Sequence, residues 1–363
     1  MKKGIFVRST AILLLCALLC TSCGKSTFDT PQDVRRIQDQ AGVEVDIPKD
    51  VKTIADFFSA NVQTIYMLGE IDRVVSSTQS AGELPWFVKI YPKATEIKNV
   101  VNHDDDSINM EELMSISPDL VISAKELQVD ACRNANIPTM YINFTDFESM
   151  KESFRLTAQI LGGDAIGKAE DYISYLEYNV NKVLSVTNSI EESEKPKVFY
   201  ARSSRFYTDG RNSIVDEWIS LCGGINVMHD VVDGKKEITI EEFIVANPDI
   251  IIIRGSHAFG EYGGQRVKDD LMNDPALAEV NAIKNHQVYL NPVGIDFWSF
   301  YSSELALQVL WASQLFHPEK FVQTDIISEA QVFYKEFFDY EFTDQDIEKM
   351  LLQLNPDDIL PEQ

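Results

Sequence analysis

The sequence predicts an α/β protein of two lobes, each with a mainly parallel sheet, bridged by one long α-helix. Three observations carry that prediction. From Val45 onward, short apolar runs alternate with longer amphipathic segments, the pattern of βαβ units. Residues 148–194 break the alternation and show helical periodicity alone. The unit Ile116-Ser117-Pro118-Asp119-Leu120-Val121-Ile122 returns, about 130 residues later, as Ala246-Asn247-Pro248-Asp249-Ile250-Ile251-Ile252. Both read as a helix end, a Pro-Asp corner and a buried strand.

In order, Val51 to Ala55 is an expected strand, and Asn61 to Leu68 a helix stopped by Gly69. Val74 to Ser77 is the next strand. Asn109 opens a helix that Pro118 closes, and Asp119 to Ser123 is a buried strand. Pro138 to Ile142 follows as another. Met150 to Leu161 is a helix ended by Gly162-Gly163. Ala165 to about Ile190 is a longer one, with Ile173, Leu176, Val180, Val183 and Leu184 at helical spacing. Its place between two similar halves makes it a connecting spine. The second half repeats the plan: strand Val198 to Ala201, helix Ser213 to Leu221, helix Ile240 to Ala246, and strands Asp249 to Ile253 and Val288 to Leu290. Helices Leu305 to Leu315 and Asp325 to Leu352 finish the chain.

The first residues read as a processed segment. Lys2, Lys3 and Arg8 give a positive start, and the apolar run Ala11 to Cys20 is too short to span a bilayer, which takes about 20 residues. Leu19-Cys20-Thr21-Ser22-Cys23 resembles a bacterial lipobox, with Cys20 a departure where leucine is usual. Residues 1–22 are therefore expected to be a lipoprotein signal peptide, and Cys23 the lipidated residue that fixes the chain to the outer face of the cell membrane. A secreted form or an uncleaved anchor is the alternative. Two acyl chains suffice for stable anchoring. Residues 23–44 are polar and read as a tether. Cys132 and Cys222 lie far apart in sequence and are expected to be free buried thiols.

The formal charge is −25, and 45% of residues are hydrophobic. So acidic a chain is unsuited to nucleic acid or to an anionic membrane surface. Its length allows two packed lobes.

The ordered set of motifs resembles the class III (cluster A) substrate-binding proteins of ABC importers, which serve ferric siderophores, haem, cobalamin and some oxyanions. The set runs from Val45-Asp46-Ile47-Pro48 through Asn109-Met110-Glu111 and the first Pro-Asp to the long helix. It continues through Ser213-Ile214, Cys222-Gly223-Gly224-Ile225-Asn226-Val227, the second Pro-Asp, and Ala282-Ile283-Lys284-Asn285 before Val288-Tyr289. The resemblance implies a ligand in the cleft between lobes, small domain motion about the spine, and an ABC permease with its ATPase as partners. It divides the chain into an N-terminal lobe at 45–163, a linking helix at 164–195 and a C-terminal lobe with C-terminal helices at 196–363. A monomer with no permanently bound cofactor is expected, its ligand a metal chelate, foremost a ferric siderophore. Cobalamin, haem and an oxyanion such as molybdate stay open.

Ligands of such sheets bind beyond the carboxyl ends of strands. The loops there hold Phe57-Phe58-Ser59-Ala60, Thr78-Gln79-Ser80, Pro85-Trp86-Phe87, Lys125, Arg202, Arg205, Tyr207, Arg254, His257, Phe297, Trp298 and Tyr301. Arginine matches planar anions through its donor fork, and aromatic rings wall a chelate. Trp86, Arg202, Arg205, Arg254, His257 and Trp298 are the candidate ligand-binding residues. His257 and Met67 would suit a haem iron. Asp104-Asp105-Asp106 lacks the glycine turn and distal glutamate of a calcium loop, and no metal set is expected. The family docks its permease through one acidic residue on each lobe. The first falls on Glu111; at the second position stands Ser220, with Glu217 the nearby substitute. No serine elbow, phosphate loop or dinucleotide fingerprint is present, so no catalytic residue is expected. A small-molecule-modifying surface enzyme or a stand-alone surface sensor is the alternative of another class.

Overall fold

Each lobe is organised on one Pro-Asp corner. The helix Met110–Ile116 ends at Ser117, held in the left-handed region at φ 51° and ψ 58°. Pro118 has no N–H with which to continue a helix. Asp119 then turns its carboxylate onto the adjoining chain, accepting the Lys52 and Thr53 N–H groups at 2.8 and 3.0 Å. The second lobe repeats the device. The helix Ile240–Ala246 ends at Asn247 with φ 43° and ψ 66°. Asp249 accepts the Lys197 N–H at 3.0 Å. Both helices also start alike: Asn109 accepts Glu112 N–H, and Thr239 and Glu242 form a reciprocal capping box.

The computed structural model describes residues 33–78, 80–102, 105–255 and 263–361. The signal segment and Cys23 lie outside them. Strands β1 (Val34–Gln38) and β2 (Glu44–Pro48) pair as an antiparallel hairpin. The expected tether is therefore shorter than residue 44. The polar look of this stretch is misleading, because the buried carboxylate of Asp39 organises it. It accepts the Ala41 and Val43 N–H groups at 3.0 and 2.9 Å and pairs with Arg133 at 2.5 Å. Ile37, Val45 and Ile47 supply the buried face.

The first lobe then builds β3 (Ile54–Asp56), β4 (Val74–Ser77), β5 (Lys98–Asn99), β6 (Leu120–Ser123) and β7 (Thr139–Tyr141). They form one parallel sheet in the order β5-β4-β3-β6-β7. The second lobe holds β8 (Lys197–Ala201), β9 (Tyr207–Asp209), β10 (Ile225–Asn226), β11 (Lys235–Glu237), β12 (Ile250–Ile253) and β13 (Val288–Leu290). Its order is β11-β9-β8-β12-β13, with β10 also beside β8. Here β9 and β11 run antiparallel at one edge. The central strands β6 and β12 are buried along their length, which explains their unbroken apolar sequence.

The spine spans Ala165–Thr187 and buries Ala165, Ala169, Tyr172, Ile173, Leu176, Asn179, Val183 and Thr187. That stripe follows the helical period. Polar atoms on it are tied to the second lobe. Tyr172 donates to the Ser303 carbonyl at 2.7 Å, Asn179 to Ala306 at 2.9 Å and Thr187 to Leu221 at 2.9 Å. Cys132 and Cys222 are free and buried.

The chain end does something the periodicity did not foretell. The helices Ile326–Phe338 and Asp344–Leu351 cross back over the first lobe. Phe338 stacks on Tyr66 at 5.8 Å, and Asp346 pairs with Lys89 at 2.7 Å. One apolar core consequently runs through both lobes, from Ile54 and Trp86 to Tyr200 and Trp298. Smaller cores lie around Phe199, Phe243 and Ile251 and around Phe57, Leu113 and Val121.

At the carboxyl end of β3, Asp56 is fully buried. It accepts the Phe58 N–H at 3.0 Å and the Asn61 amide at 2.7 Å. Burial pushes its pKa up to about 7 from 3.8, against those two bonds. The folded state therefore holds this proton more tightly than the unfolded chain. Its stabilising contribution is complete below pH 3.8 and is lost as pH rises to about 7. The slope is about 1.4 kcal/mol per pH unit in that window. Urea unfolding from pH 4 to 8 should show this loss as a difference between the wild type and Asp56→Asn. Identical pH dependence in the two proteins would refute it.

Candidate functional site

The carboxyl ends of both sheets face one cavity of about 430 Å³. The first lobe supplies Phe57, Phe58 and Ser59 after β3, Thr78 after β4, Lys125 after β6 and Asn143 after β7. From the second lobe come Lys235 on β11 and Tyr301. Three rings meet across the lobes: Tyr301 lies 6.1 Å from Phe58 and 5.5 Å from Phe144, and Phe58 lies 5.6 Å from Phe144.

Tyr301 is brought there by the segment between β13 and the helix Leu305–Phe316. Its own backbone is left-handed, with φ 47°. A non-glycine residue in that region costs about 1 kcal/mol or more and needs its surroundings to hold it. The holding group is Glu304, fully buried. It accepts the N–H groups of Ile295 and Asp296 at 2.7 and 2.8 Å, the Ser302 hydroxyl at 2.8 Å and the Tyr334 hydroxyl at 2.5 Å. Only glycine fits at 294, since a Cβ there would overlap Tyr334 Oη and Glu304 Oε1. Asp296 on the same segment accepts Gln63 from the first lobe at 3.1 Å. Burial pushes the Asp296 pKa up to about 7.

Positive charge collects above this floor. Arg202, after β8, is 5% exposed and donates to both oxygens of Asp209 at 2.7 Å. It lies over the Phe300 ring at 4.3 Å. Burial opposes its charge, but Asp209 outweighs burial and raises its pKa. Arg254, after β12, lies over Phe297 at 4.7 Å and Phe300 at 5.4 Å. It has no carboxylate at ion-pair distance among the described residues, and its Nε has no hydrogen-bond partner there. Burial lowers its pKa, and Arg202 adds to that. Lys235 is also held below its ordinary value, by partial enclosure and then by Arg202, with Arg254 and Lys125 adding less. Lys125 forms an ion pair with Asp106 of the same lobe. Lys125 and Lys235 line the cavity, and Arg202 and Arg254 lie near enough to lower the Lys235 pKa; among the described residues Asp209 and Asp106 answer two of these four cations. Such a place attracts an anion with flat apolar surface.

Several expected ligand residues lie elsewhere. Trp86 is fully buried; its indole N–H donates to the Leu354 carbonyl at 3.0 Å, and Phe342 packs on it edge-on. Trp298 is fully buried as well and donates to Tyr334 Oη at 3.1 Å. Both are core residues, because the returning C-terminal helices cover them. Arg205 faces away from the cleft, paired with Asp274 at 2.8 Å and resting on Phe206. Met67 is in the core. His257 lies outside the described residues. Glu111 is exposed in the first turn of its helix. Glu217 is half-buried and caps the helix Phe147–Leu161 of the other lobe, accepting the Phe147 N–H at 2.9 Å. It bridges lobes and does not stand free as a docking anchor. Among the described residues, no group of three or more His, Cys, Asp or Glu could hold a metal ion.

Lys235, Asn143, Phe300 and Asp209 were missed. Lys235 sits on an edge strand of three exposed charged residues, Lys235-Lys236-Glu237, which carries no strand signal. The pairing of Arg202 with Asp209 had a legible hint: a short hairpin between β8 and β9.

A profile of periplasmic binding proteins matches residues 54–292. An uncharacterised ABC transporter substrate-binding lipoprotein of Bacillus subtilis (strain 168) is 26% identical over 297 residues, covering 77% of this chain and 87% of that one. The molybdate-binding protein MolA of Haemophilus influenzae is 22% identical over 274 residues, covering 68% and 74%. Among solved structures, a periplasmic solute-binding protein from Veillonella parvula has the same fold, with TM-score 0.76 and 24% identity over 89% of this chain and 99% of that one. MolA bound to molybdate gives TM-score 0.75 at 18% identity, covering 85% and 99%. These relatives are transport binding proteins rather than enzymes. The two lobes, the spine and the cleft at the strand ends belong together with them: the chain is a member of the periplasmic binding protein family, within the class III substrate-binding proteins of ABC transporters.

Proposed function

We propose that this protein captures an anionic metal chelate, foremost a ferric siderophore, in the interlobe cleft and delivers it to an ABC permease. The observation that supports this is Arg254: a half-buried residue whose guanidinium rests on two rings, with no carboxylate at ion-pair distance among the described residues. Arg202, Lys235 and Lys125 strengthen the same field. A small oxyanion is the second reading, favoured by the molybdate-binding relative. The aromatic walls and a cavity of about 430 Å³, far larger than one tetrahedral ion, favour the chelate. Glu111 is the proposed permease contact on the first lobe. Lipid on Cys23 would keep the protein beside its permease at the outer membrane face, as the Bacillus relative's description as a lipoprotein supports. No helix among the described residues is long and apolar enough to cross a membrane.

One experiment tests both parts. Protein extracted from membranes is weighed by native mass spectrometry, with and without added ferric tris-catecholate, molybdate and cyanocobalamin. The expected result is an acylated chain beginning at Cys23 that gains the mass of the ferric chelate. A mass gain with cyanocobalamin alone would sink the anion reading, and an unmodified N-terminus would sink the anchor.

A further inference from the structure

We infer that Gln353, beyond the last helix, positions Arg254 for the ligand; this rests on the reading of the cleft as the binding site. The side-chain amide nitrogen of Gln353 lies 3.0, 2.9 and 2.7 Å from the carbonyl oxygens of Ile253, Arg254 and Asn291. These carbonyls end β12 and begin the turn after β13; that of Ile253 also accepts the Asn291 N–H at 2.8 Å. One amide group, with two N–H donors, is shared among the three. Gln353 takes a left-handed backbone to do so, at φ 57°. The opposite wall is Gly264, where a Cβ would overlap the Gln353 side chain. A strained residue, a glycine opposite it and three shared acceptors mark a specified contact.

Its effect falls on Arg254. The Arg254 guanidinium rests on Phe297 and Phe300, and no hydrogen bond from its Nε fixes it among the described residues. Its place is therefore set by those rings and by its own backbone, and Gln353 holds that backbone by the carbonyl. The segment holding Gln353 is in turn anchored on the first lobe. Leu354 accepts the Trp86 indole N–H, and Asp346 pairs with Lys89. It is anchored on the second lobe too, where Met350 accepts the Val293 N–H at 3.0 Å. The chain end is thus a second crossing between lobes beside the spine, and its Gln353 contact holds the backbone of Arg254.

Two variants test this. Gln353→Gly removes the amide and relaxes the left-handed backbone, so folding is spared. Gln353→Glu keeps the shape and sets a carboxylate against three carbonyls. The first readout needs no ligand: the ¹H–¹⁵N signal of Arg254 Nε, displaced by the ring currents of Phe297 and Phe300 and assigned with Arg254→Lys. Both variants should lose that displacement while keeping a wild-type unfolding midpoint in Gln353→Gly. The second readout is titration with ferric tris-catecholate, expected to weaken about tenfold, the scale of one well-made hydrogen bond. A signal unmoved in both variants overturns the proposal, and so does unchanged chelate affinity in variants whose signal has moved. If the wild type binds no chelate, the cleft reading fails by itself, and the Arg254 signal still decides the role of Gln353.

Discussion

Replacing Arg254 with alanine should weaken binding of ferric tris-catecholate about 100-fold while leaving the fold as stable as before or more so. The two halves of that result come from the same geometry. A charge-assisted hydrogen bond to an anion contributes roughly 1.5–3 kcal/mol, and about 2.7 kcal/mol is a hundredfold in affinity. Within the protein, by contrast, Arg254 gives little back. Its Nε has no partner among the described residues, and it shares its surroundings with another cation, Arg202. Folding therefore disfavours its charge, through burial first and Arg202 second. Removing it relieves that repulsion, though contacts with Phe297 and Phe300 are lost. Arg202→Ala serves as the contrast. It would strand the buried Asp209 without its cation and should lower stability by roughly 3–5 kcal/mol. Isothermal titration and thermal unfolding on the same preparations separate the cases. Undiminished chelate affinity in Arg254→Ala would remove the main support for the anion reading.

Glu304→Leu should lower stability by about 4 kcal/mol. Four donors converge on this carboxylate: two backbone N–H groups, the Ser302 hydroxyl and the Tyr334 hydroxyl. Leucine leaves all four facing an apolar chain with no water to replace the acceptor. Each buried orphan costs about 1–3 kcal/mol, with some relief as the segment relaxes. Relaxation has its own consequence, because the same segment carries Phe297, Phe300 and Tyr301 to the cleft. Binding should fall along with stability. Tyr334→Phe removes one donor to Glu304 and the acceptor of the Trp298 N–H, and is expected to cost about 2 kcal/mol. Urea midpoints for the pair check the ranking. A smaller loss in Glu304→Leu than in Tyr334→Phe would show that Glu304 is not the organising group.

Local signals carried the α/β plan. Ile250 to Ile253 can only be a buried strand, given four isoleucines after a Pro-Asp corner. The spine was legible because its buried positions recur at helical spacing over its length. The positions of Arg202 and Arg254 just after β8 and β12 were legible for a topological reason, since both follow parallel strands. Trp86 and Trp298 satisfied the same rule and failed. What removed them from the cleft is a contact with chain more than thirty residues away, Tyr334 for Trp298 and Leu354 for Trp86. Nothing within either local window encodes that return. Lys235 failed in the opposite sense, since an edge strand of exposed charges has no apolar alternation to betray it. The hairpin β1–β2 was hidden because its organising residue is Asp39, an acid in a polar stretch.

The two Pro-Asp corners have a further consequence. Each lies at the amino end of its sheet, the end away from the cleft, and each secures its lobe with the same left-handed helix stop and the same carboxylate clasp. What keeps the lobes folded and what decides the cargo are thus written in different residues, at opposite ends of the strands. Mutation beyond β12, as in Arg254→Ala, can therefore change the cleft's charge without touching either clasp, whereas beyond β8 the Arg202–Asp209 pair ties that charge to stability. A lineage built this way can change its diet faster than its architecture.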